Sequence, residues 1–113
     1  MKTHVLDASA LMTFFEDRSG AAVVEDLLGK ATDARRPLLM SVVNWGEVCY
    51  SVWRSRGEAA AEKTMREIAQ LPLEIVDAGF ELTRLAAGLK AEHHLPYTDC
   101  FAAALALSRH APW

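Results

Sequence analysis

Three carboxylates are set apart by their positions in the chain. Asp7 follows a β-branched apolar run and precedes a helix-like one, in VLDASALMTFF from Val5 to Phe15. Glu47 sits inside a strongly apolar stretch, VVNWGEVCYSVW, with Trp45, Val48 and Cys49 close by. Asp99 opens the final helix-like segment, just after Pro96. Side chains of this type, gathered in space, hold hard divalent cations such as Mg²⁺ or Mn²⁺, which take oxygen ligands and keep several waters. Three ionised carboxylates about 5 Å apart repel by ~3 kcal/mol per pair at an effective dielectric of 20, and a divalent cation offsets that directly.

Each acid also has a plainer explanation. Asp7 serves as a cap for the helix that follows it. Glu47 is one carboxylate at a helix edge. Asp99 lies in a first helical turn, where the positive end of the helix favours its ionised form by ~0.3–1 kcal/mol. Taken singly, each acid is adequately read as structural, so the chemistry rests on the three together. Ser9 is read as a helix N-cap on its own chemistry. No histidine is needed as a base, and His4, His93, His94 and His110 read as surface or structural residues. His93 and His94 do not make a zinc pair, because adjacent helix positions point about 100° apart.

Forty residues separate Asp7 from Glu47 and 52 separate Glu47 from Asp99, so a fold must bring them together. Lys2–Asp7 reads as a short strand ending in an acid. Ala10–Phe15 and Gly20–Ala31 are helical, the second with Ala22, Val23, Leu27 and Leu28 at helix spacing. Pro37 resets the chain, and Leu38–Ser41 is apolar enough for a buried strand. The next helix has Val42, Trp45, Val48, Cys49, Val52 and Trp53 on one face, with Ser41 as N-cap and Gly57 as stop. Glu58–Leu71 is a more charged helix ended by Pro72, and Leu73–Val76 is a third strand. Asp77 is placed to cap a helix over Ala78–His93, and Thr98 to cap another over Asp99–His110. Short apolar runs alternating with helices predict an α/β layer fold with a mostly parallel sheet. Such sheets place functional groups just beyond the carboxyl ends of their strands, which is where Asp7 stands.

The totals agree with one soluble domain. The chain has 113 residues, 51% apolar and 24% charged, a balance that excludes a disordered polymer. A net charge of −3 carries no global signal for nucleic acid, so any such contact needs a local patch. Candidates are Lys30, Arg35 and Arg36, read as one loop, and Arg54, Arg56, Lys63 and Arg66 in and after the Glu47 helix. No apolar run approaches the ~18 residues of a membrane span, and the N-terminus lacks the apolar core of a signal peptide. Cys49 and Cys100 have no CxxC partner and read as reduced thiols of a cytoplasmic protein.

At this point the residues resemble a family. The start VLDASAL, the acid within MSVVNWGEV and the late segment LPYTDCFAAALAL are similar, in order and spacing, to PIN-domain ribonucleases of the VapC toxin type. The resemblance covers essentially the whole chain and implies one PIN-like domain over residues 1–113, an α/β/α sandwich with a mostly parallel sheet. It further implies a Mg²⁺- or Mn²⁺-dependent endoribonuclease, a toxin of a type II toxin–antitoxin pair, with RNA as substrate, an antitoxin protein as partner and a homodimer as its assembly. Asp7, Glu47 and Asp99 match the family's catalytic, metal-holding acids, and Ser9 matches the small hydroxyl residue that supports the first. In such enzymes the cation activates a water and screens the phosphate as the P–O bond breaks.

One departure from the pattern matters. The family continues past the Asp99 helix into another strand, with an apolar-Thr-x-Asp ending that supplies a fourth acid, then a short helix and a final strand. Here the sequence reads SRHAPW to Trp113. The fold expected is therefore a PIN-like sandwich lacking its last strands, with an open edge on the strand that carries Asp7. Dimerisation across that edge, a borrowed segment, or only marginal stability of the chain alone is the expected consequence. An alternative function is a catalytically impaired PIN relic that binds antitoxin or RNA without cleaving. A phosphatase using Asp7 as nucleophile is the weaker rival, since that chemistry wants a second Asp where this chain has Ser9.

Overall fold

Leu38, Leu39, Met40 and Ser41 are all buried, a state that four consecutive strand residues reach only when both faces of their sheet are covered. The structure, a computed structural model that describes residues 3–113, provides that cover. Strand β1 (Leu38–Ser41) pairs in parallel with β2 (Leu73–Val76), Leu38 opposite Leu73 and Ser41 opposite Val76. The other edge of β1 receives Val5 through a single parallel bridge to Leu39. That bridge is flanked by hydrogen bonds from Leu6 N–H to the Leu39 carbonyl at 2.8 Å and from Leu39 N–H to the His4 carbonyl at 2.9 Å. The strand expected over Lys2–Asp7 therefore contracts to one bridge, Lys2 itself lying outside the described residues. Thr3 is drawn elsewhere, its hydroxyl donating to the Pro37 carbonyl at 2.7 Å.

Among the described residues six helices surround this sheet: α1 (Ala8–Phe15), α2 (Ala21–Ala34), α3 (Val42–Arg56), α4 (Glu58–Ala69), α5 (Phe80–Glu92) and α6 (Tyr97–Arg109). Strand alternation divides their packing. Leu38 and Met40 point into a core shared with Leu11 of α1, Leu28 of α2, Val48 of α3 and Ile68 of α4. Leu39 points the opposite way with Val5, onto Ala102, Leu105 and Ala106 of α6. Helix α5 closes that second layer through Ala86, against Cys100, Phe101 and Ala104. The α/β/α sandwich is as the sequence predicts. Leu11, Leu38, Met40 and Leu105 are fully buried, each worth roughly 1.5–3 kcal/mol of transfer free energy.

Helix ends follow local chemistry, with some differences from expectation. Ser41 caps α3, its Oγ accepting from Val43 N–H at 3.2 Å, and Gly57 stops the helix at φ +95°, a conformation that suits glycine. By contrast, α5 begins at Phe80 with Gly79 as N-cap and no side-chain cap, so Asp77 does not hold that role. Helix α6 begins at Tyr97 with Pro96 at its N-cap, which leaves Thr98 inside the first turn. Helix α2 runs on to Ala34 and ends in left-handed Arg35, placing Lys30 on the helix and not in a loop. On α3 the buried line is Asn44, Val48 and Val52, at i, i+4 and i+8. Trp45 packs partly against the first core, while Trp53, which shares its face in the sequence pattern, is about half exposed.

The free edge of the Val5 segment is narrower than expected. Val5 N–H donates to the Pro112 carbonyl at 2.8 Å, and Ala111 N–H donates to the Ala106 carbonyl at 2.9 Å. Residues 111–113 thus run beside Val5, and its amide is paired. An apolar groove of about 500 Å³ remains there, lined by Val5, Leu6, Ala10, Val23, Leu27 and Trp113 among others. Among the described residues no helix is long and apolar enough to cross a membrane.

Candidate metal centre

Asp7 holds extended backbone (φ −94°, ψ 178°) where the Val5 segment leaves the sheet and α1 begins. Its Oδ1 accepts from Ala10 N–H at 2.8 Å, which makes Asp7 the N-cap of α1. The second oxygen, Oδ2, accepts from the Trp113 indole Nε1–H at 3.2 Å. Ser9 is the second residue of the helix and is exposed, so the cap reading belongs to Asp7 and not to Ser9.

Asp99 lies in the first turn of α6, half-buried beneath Tyr97 and Thr98 in sequence. Burial pushes its carboxyl above the usual carboxylate range, and the negative charge of Asp7 pushes in the same direction. The helix terminus was expected to favour the ionised form. Desolvation and the Asp7 charge outweigh it. Two acids 92 positions apart in the sequence thus share one electrostatic environment.

Glu47 lies on α3, half-buried, in the second turn after Ser41. Among the described residues no three His, Cys, Asp or Glu side chains gather closely enough to hold a single ion. The structure therefore couples Asp7 with Asp99 and leaves Glu47 outside a ready-made triad. What links Glu47 to the pair is Asn44, one helical turn earlier, whose Nδ2 donates to the Thr98 carbonyl at 3.0 Å. Asn44 is fully buried and its Oδ1 has no hydrogen-bond donor among the described residues. The signal for Asn44 was a lone amide in an apolar helix, three residues before an acid. Nothing in the sequence pointed to Trp113.

The donor set suits a hard divalent cation. Asp7 and Asp99 offer only carboxylate oxygens, and a like-charged pair that raises one partner's pKa is the electrostatic problem such an ion relieves. His93, His94 and His110 are exposed, in keeping with a surface role. Several of the basic residues considered for phosphate contacts are paired with acids. Lys30 meets Asp26 at 3.1 Å, Arg56 meets Glu16 at 3.7 Å and Lys63 meets Glu67 at 3.8 Å. The Arg54 guanidinium lies over the Tyr50 ring, 5.8 Å from its centroid. Exposed pairs of this kind hold little energy and exchange readily for phosphate. Neither Cys49 nor Cys100 is in a disulfide.

The architecture is a parallel α/β/α sandwich with Asp7 standing where the Val5 segment leaves the sheet, and comparison with known proteins gives it a family. The PIN domain family matches residues 4–113, and the chain belongs to that family. No curated protein matches it significantly. Among solved structures, VapBC2 from Rickettsia felis bound to a DNA fragment from its promoter superposes with a TM-score of 0.73 at 16% identity, over 96% of this chain and 83% of that one. DNA-bound VapBC from Salmonella typhimurium gives 0.72 at 19% identity, over 98% and 83%. VapC20 of Mycobacterium tuberculosis, a toxin that cleaves the Sarcin-Ricin loop, gives 0.69 at 12% identity, over 96% and 84%. At these identities the likeness is one of fold.

Proposed function

We propose that this chain is a VapC-type toxin, a metal-dependent endoribonuclease that cleaves RNA at a site built from Asp7, Glu47 and Asp99 and is neutralised by an antitoxin protein. The observation that carries this reading is the PIN-family match over residues 4–113, with Asp7 capping α1 at the end of the Val5 segment and Asp99 in the first turn of the α6 helix that packs on that segment. Asp7 and Asp99 would hold Mg²⁺ or Mn²⁺, with Glu47 approaching from α3. When bound, the ion supplies Lewis-acid polarisation of the phosphate and a water of lowered pKa. The protein's own part is to hold the scissile phosphate's surroundings rigid. The cap to Ala10 fixes the Asp7 rotamer, and the first turn of α6 fixes Asp99.

Partner contacts fit the same reading. Tyr50 and Trp53 of α3 and Val23 of α2 are exposed apolar side chains, the kind of surface that an antitoxin or a second copy covers. Homodimerisation is tested by size-exclusion chromatography with light scattering, where a monomer at micromolar concentration would count against it. A second reading, a PIN relic that binds without cutting, is favoured by one observation: among the described residues no three metal-type side chains gather closely enough to hold one ion. RNA cleavage with Mg²⁺, with Mn²⁺ and with chelator separates the two readings, provided Asp7→Asn is run beside the wild type. Metal-dependent cleavage lost in Asp7→Asn supports the nuclease. Equal rates would show that any cleavage comes from elsewhere.

A further inference from the structure

We infer that Asn44 is a positioning residue of the carboxylate site, its amide setting α3 against the first turn of α6 and thereby placing Glu47 relative to Asp99; this rests on the reading of the site given above. Asn44 is completely buried in the first turn of α3, at the start of the line that continues with Val48 and Val52. Its Nδ2 donates to the Thr98 carbonyl at 3.0 Å, and because a carbonyl only accepts, the amide's orientation is set by chemistry. The bond spans 54 positions of sequence and joins the residue one turn before Glu47 to the residue immediately before Asp99. The elements bearing two of the three acids are thus tied three residues from one acid and one residue from the other.

Packing alone does not account for this choice. A leucine has the same γ-branching with no polar atoms to satisfy. The asparagine instead leaves its Oδ1 buried without a donor among the described residues, a cost that an apolar residue avoids. Buried polar groups of this sort trade stability for a defined register between elements. Here the register that is defined is the one between α3 and α6, and α6 also carries the acid that senses Asp7.

Mn²⁺ binding followed by electron paramagnetic resonance, on the full chain, tests the inference without relying on turnover. Wild type, Asp7→Asn and Asn44→Leu are titrated with Mn²⁺, with circular dichroism on each. The expected result is that Asp7→Asn abolishes high-affinity binding, while Asn44→Leu keeps its helical signal and weakens binding threefold or more. A folded Asn44→Leu that binds within threefold of wild type overturns the inference and leaves the site reading intact. Equal binding by wild type and Asp7→Asn, or none by wild type, overturns both. If Asn44→Leu does not fold, Asn44→Ser, whose hydroxyl is too short to reach Thr98, is held to the same threshold. Loss of the fold in both variants marks Asn44 as a folding residue only, and overturns the inference.

Discussion

The indole N–H of Trp113 donates to Oδ2 of Asp7 at 3.2 Å, while Oδ1 of the same carboxylate caps α1. Both oxygens of the first acid are therefore engaged by protein donors. A cation at Asp7 competes with the Trp113 indole for Oδ2. Trp113→Phe removes the N–H and keeps most of the ring's apolar area. The expected outcome is tighter Mn²⁺ binding, by up to about tenfold, since hydrogen bonds to charged groups are worth ~1.5–3 kcal/mol and this one is half exposed. Calorimetric titration of the two proteins checks it, and an unchanged or weaker affinity would refute the competition.

The capping assignment makes a separate prediction about stability. Asp7→Ala removes the acceptor for Ala10 N–H and should cost ~1 kcal/mol through the cap alone. Asp7→Asn keeps an oxygen at the same place, so it isolates the charge from the cap. Ser9→Ala, at an exposed position within the helix, should change stability by less than ~0.5 kcal/mol. Urea denaturation of the three variants in chelator gives the ranking. A Ser9→Ala loss as large as that of Asp7→Ala would return the capping role to Ser9.

Glu47 should behave differently from Asp7. Asp7 bears on the Asp99 carboxyl electrostatically and Glu47 does not, so Glu47 is expected to contribute less to holding the ion. Glu47→Gln is expected to lower RNA cleavage by about 10–100-fold, as residues that orient a metal site typically do, while weakening Mn²⁺ binding less than Asp7→Asn does. Parallel cleavage and binding measurements decide. Were Glu47→Gln to abolish metal binding outright, Glu47 would be a primary ligand and α3 would have to move towards α6 on binding.

Much of this was legible from the residues. Pro37, Gly57 and Pro72 punctuate the chain where elements change, and the uninterrupted apolar run Leu38–Met40 specifies a strand covered on both sides. The place of Asp7, just beyond the end of its strand-like segment, follows from parallel topology, whereas Asp99 follows a helix and is brought in by the packing of α6 on Val5 and Leu39. Other features depend on partners distant in sequence. On α3 the buried line is Asn44, Val48 and Val52, and the amide of Asn44 finds a carbonyl 54 positions away, while Trp53 is left half exposed. Asp77 and Thr98 have capping chemistry, but Gly79 and Pro96 occupy the cap positions. The pairing of Val5 with Pro112 comes from the tail's path, which no local propensity encodes.

Asp99 supplies a pH prediction whose sign is fixed by its environment. Its carboxyl is raised above the ordinary 3.8 by burial and then by the Asp7 charge. In the metal-free protein the folded state therefore holds this proton more tightly than the unfolded chain. The associated stability is full below pH 3.8 and is lost as pH rises through the raised folded-state value. Asp99→Asn cannot ionise, so in chelator it should melt above the wild type at pH 7, with the gap closing towards pH 4 and below. Taking the difference between the two proteins cancels the other carboxylates. Divalent metal reverses the order, because the cation offsets the repulsion that Asp99 suffers when ionised. At Mg²⁺ roughly one hundred times its Kd, wild type should gain ~2.7 kcal/mol, about 10 °C for a domain of this size, and Asp99→Asn should gain far less. Thermal melts from pH 4 to 7, with and without Mg²⁺, measure both effects. A wild type that melts above Asp99→Asn in chelator at pH 7 would mean that Asp99 is stabilised as an anion by the fold, and that the strain a cation is meant to relieve does not exist.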